Sequence, residues 1–544
     1  MSDCGAIPKN LIDYALWGHG ADGSLARQAA ALGAVLDAFR SSQPDPRYIS
    51  SIPPLDQLVS EYGKLAAAID DWVGRVGVAF QQAGQAEESL SARRGAPYDV
   101  LTSRISASAG LITALTRSAE GALRADAAAL VTDVESVAAG FLADQRASTS
   151  PDLAASVNAW WHGLEPYVQQ QLITSDPAVI GWLDGLPATV RDLANRITLT
   201  SEIQRLSKEQ ARLEQATKTP TWSPQLTMHL SVPPAPGSVS PEQVAAWQQE
   251  LGRVDGLLRG LMAVQTGIGR PGTGQHGLPP AYLLGVDTTD LGHVIVAFGN
   301  PDTARNVVTY VPGLGTTLAG ASGDMTRAAR LWTAVNLIGT RVLRGGGNQQ
   351  PIEPTASIYW LGYNAPQLSE LFSSESVVLP NQANQGAPAL DSFAAGLRAA
   401  HLPSFTAHTV MLGHSYGSLV VGTAAERAAD LALGRLSDDL ILVGSPGVGV
   451  YKASQLGYDP SHVWVGAASN DFVAGSGWFT MDPALAPFGA RDFTVADGAL
   501  WPFLHAHSQY WDEGSVSLRN MAYIVAGMYS SVSLSPYPYS GPPR

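Results

Sequence analysis

The second half of the chain alternates short apolar segments with amphipathic ones. The segments AYLLGVD, HVIVAFG and NVVTYVPG, within residues 281–313, are rich in β-branched and aromatic residues and predict strands. Further strands are predicted at residues 356–363, 408–414, 439–446 and 462–469, and helices at 324–339, 390–401, 418–432 and 517–529. Nearly continuous apolar strands between helices are typical of a parallel sheet covered on both faces. The sequence therefore predicts an α/β domain.

The first half carries helical periodicity instead. Leu25, Ala29, Leu32, Leu36 and Phe39 share one helix face, and similar stripes occupy residues 55–80, 100–145 and 189–215. A Pro/Ser/Thr-rich linker at 217–240 is followed by a helix start at Ser240-Pro241. We expect a helical region over residues 1–148, a helical segment with a Pro-rich loop over 149–275, and an α/β domain over 276–544.

Charge and cysteine content exclude several classes of function. The 33 Lys and Arg against 47 Asp and Glu give a net charge of −14, which disfavours nucleic acid and anionic membranes. Cys4 is the single cysteine, so neither a disulfide within the chain nor a cysteine metal cluster is expected. We expect no metal, no cofactor and no membrane-spanning segment. The first residues show no Sec-type signal, an expectation that fits cytoplasmic residence or export by another path.

The segment TVMLGHSYGSLVV, residues 409–421, places a small polar motif between two apolar runs. A G-x-S-x-G motif between a buried strand and a helix predicts a nucleophile elbow, in which Ser415 is held on a sharp turn. Gly413 and Gly417 would avoid collisions with the neighbouring strand and helix, and His414 lies within the elbow. The alternative is a purely structural Gly/Ser turn.

A serine nucleophile needs a base, and the base needs an orienting acid. With such an elbow the acid follows the serine, and the histidine comes last. Asp471 follows the strand HVWVGAAS directly and is favoured over Asp459, Asp482, Asp492 and Asp497. In the loop before the last helix, spacing alone does not separate His505 from His507, although the polar, helix-proximal position favours His507.

The developing oxyanion needs two backbone amides. One should be the amide of Tyr416, directly after the nucleophile. The other is expected in the loop YVPGLGTT, where Gly313 and Leu314 follow an early strand and Gly315 allows a close approach of the backbone. A simple glycine turn is the alternative for this loop.

Four segments together resemble a known family. They are residues 160–196, with Trp160-Trp161, Asp176-Pro177, Asp184-Gly185 and Arg191-Asp192; GNPDTARNVVTYVPGLGT at 299–316; GHSYGS; and HSQYWDEGSVSLRN. They are similar to actinobacterial α/β-hydrolases with a helical N-terminal region, a family first catalogued as a domain of unknown function. The resemblance implies the α/β-hydrolase fold and a Ser415/Asp471/His507 triad, and it favours His507.

The first 145 residues or so resemble helical modules of the WXG type, with Trp72-Val73-Gly74 as the motif, although no Y-x-x-x-D/E clearly follows. This similarity implies a protein partner for the helical half, and a plain helical bundle is the alternative. The polar segment at residues 369–388 is expected to be a surface loop or a lid over the site.

The expected function is hydrolysis of an ester or thioester, with a lipid-derived acyl group among the candidates. The small-molecule acyl substrate would form an acyl-enzyme at Ser415. A peptidase or acyltransferase with the same triad, and a non-catalytic interaction protein with a silent hydrolase fold, are the alternatives.

Overall fold

Within the residues that are described, eight short strands form one sheet. The structure, a computed structural model, describes residues 132, 134–147, 152–221, 237–344, 354–367, 380–402, 406–499 and 505–535. The strands are β1 Ala281–Asp287, β2 His293–Phe298, β3 Asn306–Val311, β4 Thr355–Leu361, β5 His408–His414, β6 Asp439–Val443, β7 Val463–Gly466 and β8 Arg491–Asp492.

The helices that surround the sheet come before, between and after the strands. They are α1 Leu153–Gly163, α2 Pro166–Ser175, α3 Pro177–Trp182, α4 Ala188–Ala216, α5 Pro241–Ile268, α6 Ala321–Arg344, α7 Asn381–Ala400, α8 Tyr416–Asp430 and α9 Val516–Val525. A 3₁₀ segment, Ala506–Trp511, precedes α9. The start predicted for α5 is observed, because the Ser240 hydroxyl accepts a hydrogen bond from the Gln243 N–H at 3.2 Å.

The strand order is β1-β2-β4-β3-β5-β6-β7-β8. The pairs β1–β2 and β2–β4 are antiparallel, and all pairs from β4 to β8 are parallel. Every residue of the central strands β3 and β6 is buried, as expected for a sheet with both faces covered. The predicted fold class is confirmed: a mostly parallel α/β sheet of the hydrolase type, preceded by helices.

Helix α4 covers the edge strand β1 with polar side chains. The Asp192 carboxylate accepts from the Leu283 N–H at 2.8 Å, and the Asn195 amide donates to the Leu283 carbonyl at 3.0 Å. Arg196 holds Asp192 by two hydrogen bonds. These bonds satisfy backbone groups that an open sheet edge would expose. The helices that precede the sheet therefore complete it, and residues 149–275 share one compact unit, Phe141–Arg544, with the strands.

The predicted polar loop at 369–388 was too long. Helix α7 begins at Asn381, nine residues before the predicted helix start, and it contains Pro388. Its buried face supplies the reason, because Gly386 lies against the Tyr363 side chain and Ala387 is fully buried. Packing thus favours a helix that Pro388 alone would discourage. Residues 369–379 lie outside the described residues.

Several predictions concern segments that the structure does not describe. These are the helical stripes before residue 132, including Trp72-Val73-Gly74, and most of the linker at 217–240. In the unit Met1–Gly140 the structure describes a helical stretch at 134–140. None of the helices in the described ranges is both long enough and apolar enough to cross a membrane.

Candidate active site

Ser415 lies at the junction between β5 and α8 with a backbone conformation that is rare for a serine. Its φ is 55° and its ψ is −131°. L-residues pay a steric cost in this region, and such strain persists only where the surroundings enforce it. The Ser415 N–H donates to the Val443 carbonyl at 3.1 Å, and the Ser418 hydroxyl donates to the Ser415 carbonyl at 2.6 Å. The sharp strand-to-helix turn predicted from the motif is therefore present.

The two glycines of the motif have no room for a side chain. A Cβ on Gly413 would lie 2.5 Å from the Ser418 Cα, and a Cβ on Gly417 would lie 2.2 Å from the Val311 carbonyl oxygen. Both neighbours are backbone atoms, which cannot move aside as a flexible side chain can. Close packing of strand, turn and helix thus explains the spacing of the glycines around Ser415.

The side chains of His507 and Asp471 meet at the carboxyl end of the parallel strands, the end at which β5 leads into Ser415. The His507 Nδ1–H donates to the Asp471 carboxylate, with 2.8 Å to Oδ2 and 2.9 Å to Oδ1. Asp471 is 1% exposed and also accepts from the Val473 N–H at 3.0 Å. Gly444 lies beside this pair, since a Cβ there would be 3.0 Å from both Asp471 Oδ2 and His507 Cε1. This bond orients the imidazole, as an orienting acid would.

The other acid and base candidates have other environments or partners. Asp459 caps the turn at 460–462, Asp497 accepts from the Ser469 hydroxyl at 2.8 Å, and His505 is exposed. Burial, followed by the nearby charge of Asp471, raises the pKa of Asp482 to about 6. Burial raises the pKa of Asp492 to about 7. Of the five aspartates considered, Asp471 is the one hydrogen-bonded to His507.

Tyr510 is a third member of this cluster that the sequence analysis did not single out. Its hydroxyl donates to Asp471 Oδ2 at 2.8 Å and accepts from the Ala468 N–H at 3.0 Å. The side chain is 2% exposed. Its position three residues after His507, on the same 3₁₀ segment, is the signal that could have suggested it, because residues i and i+3 share a face there. Tyr510 therefore holds Oδ2 of the carboxylate, whereas the Val473 N–H holds Oδ1.

His414, a member of the elbow, packs directly on His507. The two ring centroids are 4.7 Å apart, and the His414 Nε2–H donates to the His507 carbonyl at 2.8 Å. Burial, together with the charges of His507 and Arg327, lowers the pKa of His414 well below its usual range. His414 is thus a neutral donor that holds the segment carrying His507, a role invisible in the motif itself.

The loop after β3 lies against the elbow. A Cβ on Gly313 would be 2.7 Å from the Ser415 Cβ and 2.9 Å from the Tyr416 nitrogen. The Tyr363 hydroxyl donates to the Pro312 carbonyl at 2.7 Å, and the Gly315 N–H donates to the Pro366 carbonyl at 2.9 Å. Two hydrogen bonds with the segment after β4 thus hold this loop beside Ser415. Leu314 and Tyr416 therefore lie at the same end of the sheet.

An aromatic pair lies exposed on the loop that follows Asp471. Phe472 is 49% exposed and Trp478 is 50% exposed, with ring centroids 6.3 Å apart. The next residue, Phe479, is buried with its ring 5.4 Å from that of Tyr416. The loop therefore begins at Asp471 and reaches Tyr416, the residue after Ser415, through the ring of Phe479. In the same described part of the chain, no group of His, Cys, Asp and Glu is arranged to hold a metal ion.

Comparison with known proteins agrees with this architecture. A family model described as Alpha/beta hydrolase matches residues 287–480, which include β2 to β7 and Ser415. The chain is 34% identical over 199 residues to the uncharacterized protein Rv0963c of Mycobacterium tuberculosis, a match that covers 36% of this chain and 69% of that protein. The chain belongs to the alpha/beta hydrolase family that it shares with this relative.

Two further similarities extend beyond this region. The uncharacterized protein Rv2079 of Mycobacterium tuberculosis is 28% identical over 408 residues, covering 69% of this chain and 56% of that protein. The chain thus spans little more than half the length of this relative. A solved fungal esterase structure from Rhizomucor miehei covers 57% of this chain and 98% of its own, with a TM-score of 0.31 and 11% identity.

Proposed function

We propose that this protein is a serine hydrolase that cleaves a carboxylic ester or thioester through Ser415, His507 and Asp471. The observation that carries the proposal is the strained backbone of Ser415, with φ of 55°. This residue lies at the carboxyl end of the parallel strands, where His507 donates to Asp471. A serine held in this way presents its hydroxyl for chemistry. In a purely structural turn, a glycine would adopt this conformation at lower cost. A serine in this position therefore points to a role for its hydroxyl.

In the proposed mechanism, Ser415 Oγ attacks the carbonyl carbon while His507 Nε2 takes the hydroxyl proton. Asp471 keeps the imidazole in the tautomer with the proton on Nδ1 and stabilises the imidazolium that forms. The amides of Tyr416 and Leu314 donate to the oxyanion. The imidazolium then returns the proton to the leaving alcohol or thiol, and water, activated by His507, releases the acid from the acyl-serine.

The aromatic pair Phe472 and Trp478 favours an apolar acyl group. Both rings are half-exposed on the loop that runs from Asp471 to Phe479, whose own ring packs against that of Tyr416. Exposed large apolar side chains at a site usually meet an apolar partner. We therefore assign these rings to contact with the acyl chain, and W478A should raise KM for long-chain esters more than for acetyl esters.

Labelling with a fluorophosphonate serine probe tests the nucleophile. The wild type should be labelled and should hydrolyse 4-nitrophenyl butyrate, whereas Ser415→Ala and His507→Ala should lose both properties. Ser530→Ala, at an exposed serine of the same chain, is the matched control and should behave as the wild type. Undiminished turnover by a folded Ser415→Ala variant would refute the mechanism.

A further inference from the structure

An open cavity of about 370 Å³ lies beside the segment that carries His507. Its wall includes Ser508 and Trp511 from this segment, and Gly323, Asp324, Arg327 and Arg330 from the beginning of helix α6. Pockets of this size accept a small molecule or a part of one. The mechanism proposed above uses none of the residues that line it.

The cavity carries a surplus of positive charge. The Arg327 guanidinium donates to Asp324 Oδ1 at 2.8 Å and to the Tyr310 hydroxyl at 3.0 Å, and it lies 5.2 Å from the Trp511 ring. Asp324 therefore offsets the charge of Arg327 and fixes its position. Arg330 donates to the Trp511 carbonyl at 3.3 Å and, within the described residues, forms no ion pair with a carboxylate.

Arg330 thus supplies the uncompensated charge. Asp512 and Glu513, which follow Trp511 along the chain, do not line the cavity. The chain as a whole has a net charge of −14, so it repels anions in general. An arginine without a carboxylate partner in the wall of a cavity attracts an anion to that place. A guanidinium presents two parallel N–H groups that match a carboxylate or a phosphate.

The cavity adjoins the proposed catalytic base. Ser508 directly follows His507, and the Trp511 ring centroid is 5.1 Å from that of His414, which itself packs on His507. The Arg327 guanidinium lies 5.2 Å from the centroid of the same Trp511 ring, so it is close to His414 as well. In ester cleavage the base becomes the acid that protonates the leaving group. A leaving group that His507 protonates would lie beside the segment whose Ser508 and Trp511 line this cavity.

We propose that this arginine-lined cavity is a subsite for an anionic leaving group, so that the substrate is an ester or thioester whose alcohol or thiol portion carries a carboxylate or a phosphate. This inference rests on the proposed function, because it assigns one end of the substrate cleaved at Ser415. Arg330 is the specificity-determining residue, and Arg327, held by Asp324 and Tyr310, shapes the wall.

Matched butyryl esters of three phenols test the subsite. 4-Hydroxybenzoate carries a carboxylate, 4-(phosphonomethyl)phenol carries a phosphate-like group, and 4-hydroxybenzamide is the neutral reference. We expect the wild type to prefer at least one charged ester over the neutral one by about tenfold in kcat/KM, as one charge-assisted hydrogen bond would give. The arm that shows the preference identifies the anion.

Arg330→Gln should reduce this preference to near unity and leave kcat/KM for the neutral ester unchanged. Arg330→Lys should keep part of it, because the charge remains while the planar fork is lost. Arg253→Gln, at an exposed arginine on α5 that pairs with Glu250, is the matched control and should keep the full preference. The preference of the wild type should also decrease as salt increases.

Two failures are distinguishable. Turnover of all three esters without a preference, or with a preference that Arg330→Gln leaves intact, overturns the subsite and leaves the hydrolase mechanism standing. Absent turnover together with absent fluorophosphonate labelling overturns the mechanism and the subsite with it. Thermal unfolding of Arg330→Gln at the wild-type temperature verifies that the variant is folded.

Discussion

The two ends of the parallel sheet each hold a buried aspartate with a histidine and a tyrosine. At the carboxyl end, Asp471 accepts from His507 Nδ1 and from the Tyr510 hydroxyl, both at 2.8 Å. At the amino end, Asp439 accepts from His408 Nε2 at 2.7 Å and from the Tyr529 hydroxyl at 2.5 Å. Similar side chains therefore form similar hydrogen bonds at both ends.

The two clusters differ in what remains available for chemistry. Asp439 also accepts from His462 Nδ1 and Trp464 Nε1, and His408 Nδ1 donates to the Val525 carbonyl at 3.1 Å. Both nitrogens of His408 are therefore used in holding β5, β6 and the end of α9 together. In the described part of the chain, the His507 ring is hydrogen-bonded through Nδ1 alone. His507 Nε2 therefore stays available for the proton transfer that the proposed mechanism assigns to it.

The contacts of His408 also set its protonation. Burial lowers the pKa of His408, but the hydrogen bond to Asp439 and its negative charge more than offset this effect, so the pKa is raised overall. Acceptors at both ring nitrogens favour the imidazolium. The amino-end cluster is thus a charged structural anchor, whereas a catalytic base has to exchange its proton at the working pH.

Replacement of each histidine by alanine should give the largest difference in activity between the two clusters. His507→Ala should reduce kcat about 10³-fold or more, because the base is lost. His408→Ala should leave kcat within about twofold and lower the unfolding temperature, since Asp439 loses one of its donors. Steady-state kinetics and thermal unfolding of both variants measure the contrast, and an equal loss of activity in both would break it.

Loss of the charged His408 should also change the pH dependence of stability. Since the pKa of His408 is raised in the folded state, its contribution is fully present below the unfolded pKa of about 6.5 and is lost as pH rises through the folded value. The stability difference between wild type and His408→Ala should therefore be larger at pH 6 than at pH 9. Denaturant unfolding at the two pH values measures it, and a constant difference would contradict the anchor assigned here.

The strained turn is the feature that the amino end lacks, and Gly413→Ala should disrupt it. The new Cβ would lie 2.5 Å from the Ser418 Cα, so we expect a loss of about 1–3 kcal/mol in stability and about 100-fold in activity. Gly252→Ala, on helix α5 with no atom within 4 Å of the new Cβ, is the control. It should stabilise the protein slightly and leave activity unchanged. Normal turnover by Gly413→Ala would show that the turn tolerates adjustment.

The two tyrosines allow a finer comparison. Tyr510→Phe should lower kcat/KM about tenfold and move the acid limb of its pH profile to higher pH. The reason is that the hydroxyl no longer competes with His507 for the negative charge of Asp471. Tyr529→Phe should cost about 1 kcal/mol of stability and keep the wild-type profile. An unchanged profile in Tyr510→Phe would reduce Tyr510 to a packing role.

The smallest expected effect concerns Asp482. Burial and the charge of Asp471 raise its pKa to about 6, so the folded state loses stability relative to the unfolded chain as pH rises from about 4 to 6. Asp482→Asn should therefore raise the unfolding temperature by about 2 °C more at pH 8 than at pH 4. Asp459→Asn is the control with the opposite sign, because hydrogen bonds from Ser461 lower the pKa of Asp459. Equal shifts at both pH values would contradict the buried, charge-facing position of Asp482.

Local patterns accounted for much of the architecture. The alternation of strands and helices predicted the α/β class, and the motif around Ser415 predicted a turn whose φ of 55° the structure displays. The start of α7 was mispredicted, since Pro388 signals a break while contacts with Tyr363 favour a helix. Tyr510 and His414 were not assigned a role, because their partners are 39 and 93 residues away along the chain. The catalytic roles of Ser415, Asp471 and His507 stay predictions until the labelling experiment is done.

The sequence by itself determined what depends on neighbours along the chain: the periodicity of strands and helices, and the glycines at 413 and 417 that a tight turn requires. Only the tertiary structure decided which aspartate is hydrogen-bonded to which histidine. Asp439 and Asp471 both lie close to strand ends, yet one joins His408 and His462 and the other joins His507. The physical reason is that strand order and direction bring distant residues within hydrogen-bond reach, and neither is encoded in the local pattern of apolar and polar residues.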